Sequence, residues 1–159
     1  MTRNPSISEK QGPANPEGFD DFLPYVIARI ANKLNLDLME DLRQLKINIA
    51  RWRVLAVLSE KDGRSIGEMA EAAMMEQSAL SRTIMRMEAE KLLRRKLLKK
   101  DNRYVQVYLT PSGRDLFEKL YPIVRQRHSR CVQGMSDQEV NELFRLLEIL
   151  MKNLEKPPY

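Results

Sequence analysis

One change of period constrains the fold of this chain more than any other feature of its sequence. Apolar residues recur at spacings of three and four over most of the chain, which is the pattern of helices with one buried face. Only residues 93–109 depart from it, ending in the β-branched and aromatic run Tyr104–Leu109. Such residues favour strands. The sequence therefore predicts a mainly α-helical chain with one β-hairpin, whose strands over residues 93–100 and 103–109 meet at Asp101-Asn102.

Capping signals divide the part before the hairpin into one long and three short helices. The long helix is predicted over residues 21–46, where seven apolar residues from Leu23 to Leu45 form one stripe. Three short helices follow, each placed by its own start or stop signals. They cover residues 49–61 (N-cap Asn48), 65–73 (the S-x-x-E capping box of Ser65 and Glu68) and 77–91.

Two more long helices are predicted after the hairpin. Thr110-Pro111 is a strong start signal, an N-cap followed by proline at the first helical position. Pro122 lies well inside this helix and is expected to kink it. A second S-x-x-E box, Ser136 to Glu139, opens the last helix.

This order of elements predicts a winged helix-turn-helix over residues 48–110. The flanking helices, residues 19–47 and 111–155, carry apolar stripes that one small domain cannot fully cover. We therefore expect a helical dimerisation region, built from both ends of the chain, that pairs with a second copy by two-fold symmetry. Residues 1–18 contain three prolines and few apolar residues, which predicts a disordered N-terminal arm.

The positive charge of the chain is concentrated in one stretch. The net charge is +5, and residues 82–103 hold nine basic and three acidic residues, a net +6 that leaves −1 for the rest. Such a local surplus is the electrostatic footprint of a polyanion-binding surface. A solvated basic face is the alternative interpretation, and charge alone leaves both open.

The composition argues against several other classes of protein. The single cysteine, Cys131, excludes an intramolecular disulfide and a multi-cysteine zinc site. One histidine and no glycine-rich phosphate loop give no catalytic constellation, so we expect neither an enzyme nor a bound metal or cofactor. No segment approaches a membrane span, and the N-terminus lacks an apolar signal core, so we expect a cytoplasmic protein.

Four short motifs resemble the MarR family of bacterial transcription regulators, over roughly residues 20–154. The family has W-x-V-L at the first helix of its DNA-binding motif, an apolar residue followed by Ser-Arg in the recognition helix, D-x-R in the wing and L-T-x-x-G after it. The matching residues here are Trp52-Arg53-Val54-Leu55, Leu80-Ser81-Arg82 with Met87-Glu88, Asp101-Asn102-Arg103, and Leu109-Thr110-Pro111-Ser112-Gly113. The chain departs from the family pattern at Arg51, where the family often has Gln, and at Lys91, where it commonly has Gly.

A helix of this kind fits the major groove of DNA, where Gln77 can pair with adenine. Arg82 either binds guanine or grips phosphate, whereas Arg86 is expected on phosphate. The resemblance implies that Arg103 enters the minor groove, and Asp101 either orients it or only forms the turn. The predicted DNA-binding residues are Gln77, Ser78, Ser81, Arg82, Arg86, Lys99, Lys100, Asn102 and Arg103.

The resemblance also implies that a small phenolic or aromatic ligand releases the DNA by binding between the dimer helices and the winged motif. The candidate pocket residues are Tyr25, Arg29, Asn32, Arg51 and Trp52. Arginine suits a carboxylate and tryptophan can stack on a ring. The competing interpretation is a core residue for Trp52 and a surface charge for Arg29. For Cys131, three residues after His128, we expect a buried thiol beside a surface or interface histidine rather than a redox sensor or a Cys-His nucleophile.

We therefore expect a sequence-specific transcriptional regulator, acting as a repressor, that binds a palindromic operator as a homodimer. A sequence-independent nucleic-acid-binding or architectural protein is the alternative, because a basic wing serves either role. The preference for a palindromic operator over random DNA at fixed salt separates the two.

Overall fold

The computed structural model describes residues 18–97 and 105–155, and these residues form six helices and one small antiparallel sheet. The predicted mainly α-helical fold with a small β-hairpin is confirmed. The predicted N-terminal arm, apart from Gly18, lies outside the described residues. The elements are α1 (Leu23–Gln44), α2 (Ile49–Glu60), β1 (Arg64–Ser65), α3 (Ile66–Ala72), α4 (Gln77–Ala89), β2 (Leu93–Leu97), β3 (Val105–Leu109), α5 (Pro111–Cys131) and α6 (Asp137–Glu155).

The helices begin where the capping signals predict. The Asn48 side chain accepts a hydrogen bond from the Arg51 backbone N–H at 2.9 Å. Both capping boxes have formed, because each serine hydroxyl accepts from the backbone three residues on and each glutamate accepts from the serine backbone. Thr110 Oγ1 accepts from the Gly113 N–H at 3.1 Å. Local side-chain chemistry therefore sets the start of four helices.

Three helices end in the same way, although none of them ends at a glycine. Lys46, Met74 and Lys91 follow α1, α3 and α4 with φ angles of 56°, 50° and 60°. After α4, the Lys91 and Leu92 N–H groups return to the carbonyls of Glu88 and Met87, both at 2.9 Å. This pair of bonds is a Schellman ending, whose left-handed residue is usually glycine because glycine has no Cβ to clash. The position of Lys91 thus explains the glycine of the MarR pattern.

The sheet has one strand that the sequence did not predict. β1 contains only two residues and pairs antiparallel with β3, so that the strand order is β1-β3-β2. Two residues are too few to show a period of two, and tertiary pairing alone defines them. In the predicted hairpin, Leu93 lies opposite Leu109 and Arg95 opposite Val107. The sheet therefore joins the segment before α3 to the wing.

The core lies between α2, α3, α4 and the sheet, with contributions from the end of α1 and the middle of α5. Leu42, at the end of α1, and Leu120, in α5, are fully buried in it. Trp52 is also buried, and its ring stacks on Phe117 with centroids 5.6 Å apart. The expectation that Trp52 is a core residue therefore fits its main contacts. Within the described ranges, no helix combines the length and the hydropathy needed to cross a bilayer.

A charged pair joins the two long helices α1 and α5. The Arg127 guanidinium donates to both carboxylate oxygens of Asp41, at 2.5 and 2.7 Å, and lies 3.7 Å from Asp37. This hydrogen bonding holds the pKa of Asp41 below its ordinary value. A bidentate guanidinium–carboxylate contact is directional, so it fixes the relative rotation of the two helices as well as their separation.

Gly113 allows α5 to start directly against the end of α4. The Leu92 carbonyl accepts hydrogen bonds from the Thr110 N–H at 3.1 Å and from its hydroxyl at 3.0 Å. A Cβ at position 113 would lie only 2.1 Å from that same oxygen. No side chain fits at that distance, so the glycine of the L-T-x-x-G motif is required by a close backbone approach.

We predict that Gly113→Ala lowers the free energy of unfolding by about 2 kcal/mol or more, because the backbone must move to admit the methyl group. Gly67→Ala is the matched control. The nearest atom to an added Cβ there is 3.9 Å away, so alanine in α3 is expected to be neutral or stabilising by up to about 1 kcal/mol. Urea denaturation of both variants tests this, and equal stabilities would contradict the close-approach argument.

Candidate nucleic-acid interface

The outer face of α4 is polar and basic. Gln77, Ser78, Arg82 and Arg86 are exposed, and Ser81 is half-buried. On the opposite side of the same helix, Leu80, Ile84 and Met87 are buried in the core. The spacing of these apolar residues turns the five predicted side chains away from the protein interior. The structure thus presents the five predicted residues of α4 along one side of the helix, accessible to a partner.

The same face contains one apolar residue that sequence reasoning missed. Met85 is 49% exposed. It lies four residues after Ser81 and three residues after Arg82, one turn further along α4. Its spacing from Ser78, Ser81 and Arg82 could have identified it as a surface residue. An exposed thioether between two arginines can make apolar contacts that the polar residues of the face cannot.

Arg53 holds the turn that precedes α4. Its guanidinium donates to the carbonyls of Ala73 and Met74, at 3.3 and 3.4 Å. These carbonyls belong to the end of α3 and to the left-handed residue that follows it. An arginine in α2 therefore fixes the angle between the two helices of the helix-turn-helix. This contact gives a role to the second residue of the Trp52-Arg53-Val54-Leu55 motif.

The last turn of α4 carries two carboxylates that bind different neighbours. Glu88 accepts from the Arg95 backbone N–H at 3.0 Å and from its Nε at 2.7 Å. These hydrogen bonds hold the pKa of Glu88 below its ordinary value. Glu90 accepts from the Arg51 guanidinium in α2. The turn is thereby tied to strand β2 on one side and to helix α2 on the other.

The strand that leaves α4 exposes further basic residues. Arg94, Arg95 and Lys96 are all exposed in β2. The Arg94 guanidinium lies over the Tyr108 ring, 4.9 Å from its centroid, which is cation–π geometry. The predicted wing residues Lys99, Lys100, Asp101, Asn102 and Arg103 lie outside the described residues.

The five candidate ligand residues do not line one pocket in the single chain. Arg29 and Asn32 line a cavity along α1, Arg51 lines a second cavity between α1 and α2, and Trp52 lines a third between α2 and α5. Tyr25 is exposed, and its ring packs on Phe19 and under Arg29. The structure brings together Tyr25, Arg29 and Asn32 on α1, and keeps Arg51 and Trp52 apart from them.

The second of these cavities has the most cationic lining. Its volume is about 610 Å³, and it lies where α1 turns into α2. Arg43, Lys46 and Arg51 line it against one carboxylate, Glu40. The Nε atom of Arg51 is buried and has no hydrogen-bond partner among the described residues. This cavity therefore presents three cations to a bound molecule.

Cys131 lies at the end of α5, and its side chain is exposed. The expectation of a buried thiol is therefore wrong for the single chain. His128 is also exposed, and its ring faces Phe144 of α6 with centroids 6.3 Å apart. Across residues 18–97 and 105–155, no three His, Cys, Asp or Glu side chains form a group that could hold a metal ion.

Comparison with known proteins identifies relatives over most of the chain. A family model described as transcriptional regulator SarA/Rot matches residues 38–120. The HTH-type transcriptional repressor IacR of Pseudomonas putida is 29% identical over 136 residues, which covers 86% of this chain and 81% of IacR.

Solved structures give the same result for the fold. A MarR-family transcriptional regulator from Silicibacter pomeroyi superposes with a TM-score of 0.80 at 34% identity, covering 89% of this chain and 96% of that one. BpsR of Bordetella bronchiseptica superposes with a TM-score of 0.66 at 25% identity, covering 79% and 98%. The BpsR structure describes how 6-hydroxynicotinic acid regulates DNA binding by that protein.

Proposed function

The chain belongs to the winged-helix transcriptional regulators of the SarA/Rot and MarR type, and from this we propose that it is a repressor that binds a palindromic operator as a homodimer. Regulators of this type bind DNA. The observation that carries the proposal is the exposed polar and basic face of α4 beside the basic strand β2. IacR, a relative over most of this chain, is a repressor, which favours repression over activation here.

The proposed division of labour follows the chemistry of each residue. Gln77 and Ser78 in the first turn of α4 read base edges in the major groove, where an amide side chain pairs with adenine. Arg86, more than two turns further on, grips phosphate. Ser81 and Arg82 lie between them, and Arg82 reaches either a guanine or a phosphate. Lys99, Lys100, Asn102 and Arg103 of the wing complete the proposed site, with Arg103 in the minor groove and Asp101 orienting it.

In-vitro selection of bound DNA by the purified full-length protein tests this function. We expect an inverted repeat whose half-sites are about 10 base pairs apart, bound about 10³-fold or more tighter than random DNA at the same salt. Enrichment of no sequence would favour the architectural alternative.

We predict that Arg82→Ala weakens binding to the selected operator at least about tenfold, or about 1.4 kcal/mol. Titrations on operator and on random DNA at several salt concentrations show which contact is lost. A base contact relaxes specificity at one position, whereas a phosphate contact weakens binding to both DNAs and lowers the salt slope. Arg125→Ala on α5, distant in the chain from α4, is the charge-matched control. Unchanged operator affinity in Arg82→Ala would remove Arg82 from the site.

The homodimer is proposed from apolar faces that the single chain leaves uncovered. α6 has no buried residue, yet Leu143, Phe144, Leu147 and other apolar side chains are exposed along it. α1 likewise exposes a series of large apolar side chains from Leu23 to Met39. Contiguous exposed apolar faces of this kind are typical of surfaces that bind a partner. A second copy supplies the same two helices and would bury both faces by two-fold symmetry.

We predict that Leu147→Glu shifts the protein from dimer to monomer at micromolar concentration, because a buried unpaired carboxylate is costly in an apolar interface. Sedimentation equilibrium measures the shift, and operator affinity should fall with it. Asn141→Glu adds the same charge to a polar position of α6 and should leave the dimer intact. A dimer that persists in Leu147→Glu would place the interface elsewhere.

Release by a small aromatic acid is proposed from the cationic cavity between α1 and α2. A carboxylate there would bind the cations that line the cavity, Arg51 among them, and would shift the spacing of the two recognition helices of the dimer. Regulation of BpsR by 6-hydroxynicotinic acid supports this class of ligand. Tyr25, Arg29, Asn32 and Trp52 stay in the proposal as contacts that a dimer or a closed state would have to bring to the ligand.

A thermal-shift screen of aromatic acids, 6-hydroxynicotinic acid among them, tests the ligand proposal. We expect at least one acid that raises the melting temperature of the wild type and weakens its binding to the operator. Arg51→Met should abolish both effects, whereas Arg29→Met should abolish them only if the site lies along α1 instead. A screen in which no acid has either effect would end the proposal.

A further inference from the structure

Glu88 makes an unusually complete contact between α4 and the wing. Its Oε1 accepts the Arg95 backbone N–H at 3.0 Å, and its Oε2 accepts the Arg95 Nε at 2.7 Å and lies 2.6 Å from Nη2. One carboxylate thus binds both the main chain and the side chain of a single residue. Charge-assisted hydrogen bonds of this kind are stronger and more directional than neutral ones.

The bonded residue lies at a fixed point of the sheet. Arg95 is opposite Val107 of β3, and Val107 is fully buried. The hydrogen bond that Glu88 accepts from the Arg95 N–H therefore holds the backbone of strand β2, and not only the flexible Arg95 side chain. Only three residues, Glu90 to Leu92, connect α4 to β2. Without the bond, the Schellman ending and the Leu92 carbonyl remain as the nearest constraints on the angle between helix and strand.

We infer that Glu88 is a positioning residue for DNA recognition, which fixes strand β2 against α4 so that helix and wing can engage adjacent grooves together. This inference rests on the proposed function, because it assumes that α4 and the wing bind the same DNA. Glu88 itself touches no DNA in this scheme and acts through Arg95. In the same scheme Arg95, although basic and exposed, holds strand β2 in position and does not bind phosphate.

An electrostatic role and a positioning role for Glu88 predict opposite results when its carboxylate is removed. Glu88 is a negative charge in a helix that faces a polyanion, and its loss also releases the Arg95 cation. Electrostatics alone therefore predicts tighter binding to any DNA. Loss of a positioning contact predicts weaker binding to the operator relative to random DNA, because specific binding needs both grooves in register. The ratio of the two affinities separates the explanations.

The experiment compares Glu88→Ala with Glu90→Ala in the full-length protein. Both variants remove one carboxylate from the last turn of α4, but Glu90 binds Arg51 of α2 rather than the wing. Affinities are measured by fluorescence anisotropy on the selected operator and on a scrambled duplex at the same salt. We expect the operator preference to fall at least about tenfold in Glu88→Ala and less than about twofold in Glu90→Ala.

Further variants distinguish position from charge and from folding. The double variant Glu88→Ala with Arg95→Met restores the original net charge but not the contact, so its operator preference should remain low. Glu88→Gln, which keeps one acceptor oxygen, should fold and give an intermediate preference if Glu88→Ala proves unstable in a thermal melt. Hydroxyl-radical footprints, which report the deoxyriboses along the minor groove, should lose the protection given by the wing.

Each remaining outcome overturns the inference. If Glu88→Ala binds both duplexes more tightly by the same factor, Glu88 acts only through its charge. If both single variants lose operator preference equally, Glu88 acts only through the stability of the helix end. If the wild type itself shows no operator preference, the proposed function fails and the inference falls with it. If the wild type prefers the operator and Glu88→Ala keeps that preference in full, the inference is wrong but the proposed function stands.

Discussion

The meeting of three chain segments at the Leu92 carbonyl is the contact on which the rest of this structure depends. α4 ends just before it, β2 begins just after it, and the first turn of α5 packs on it through Thr110 and Gly113. Backbone atoms touch backbone atoms here, so no change of side chain can compensate for a displacement. Helix α4, strand β2 and helix α5 thereby share one rigid origin. A movement of α5 must consequently move α4 and β2 together.

Basic side chains have two roles in this protein: some form contacts within the molecule, and others lie exposed at its surface. Arg51 and Arg53 of α2 bind the end of α4 and the turn before it, while Arg95 binds Glu88. Arg94 covers Tyr108. Part of the basic stretch therefore assembles the domain, whereas Arg82, Arg86, Lys91 and Lys96 are exposed at its surface. Counting basic residues overstates the number that a polyanion can reach, because a guanidinium that is bonded within the protein is already partly neutralised.

The long helices show a different balance between local and distant forces. Arg127 joins α5 to Asp41 of α1, and Leu42 and Leu120 enter the core, so these two helices are attached to the winged domain. α6 has no buried residue at all. Its stripe of apolar residues is clear in the sequence, but none of the described residues of this chain buries it. The sequence could therefore predict the helix and its apolar face, and physical reasoning about exposed area points to a second copy.

The sequence by itself determined the six helices, the hairpin and their order, because capping boxes, N-caps and apolar periods act over four residues or fewer. It likewise determined which side of α4 faces outward, since buried Leu80, Ile84 and Met87 leave the polar residues no other side. Only the tertiary structure decided the two-residue strand β1, the exposure of Cys131, the separation of Arg51 and Trp52 into different cavities, and the bond from Glu88 to Arg95. These features join segments that lie apart in the chain, and a distance set by the packing of a whole core leaves no trace in the local pattern of residues.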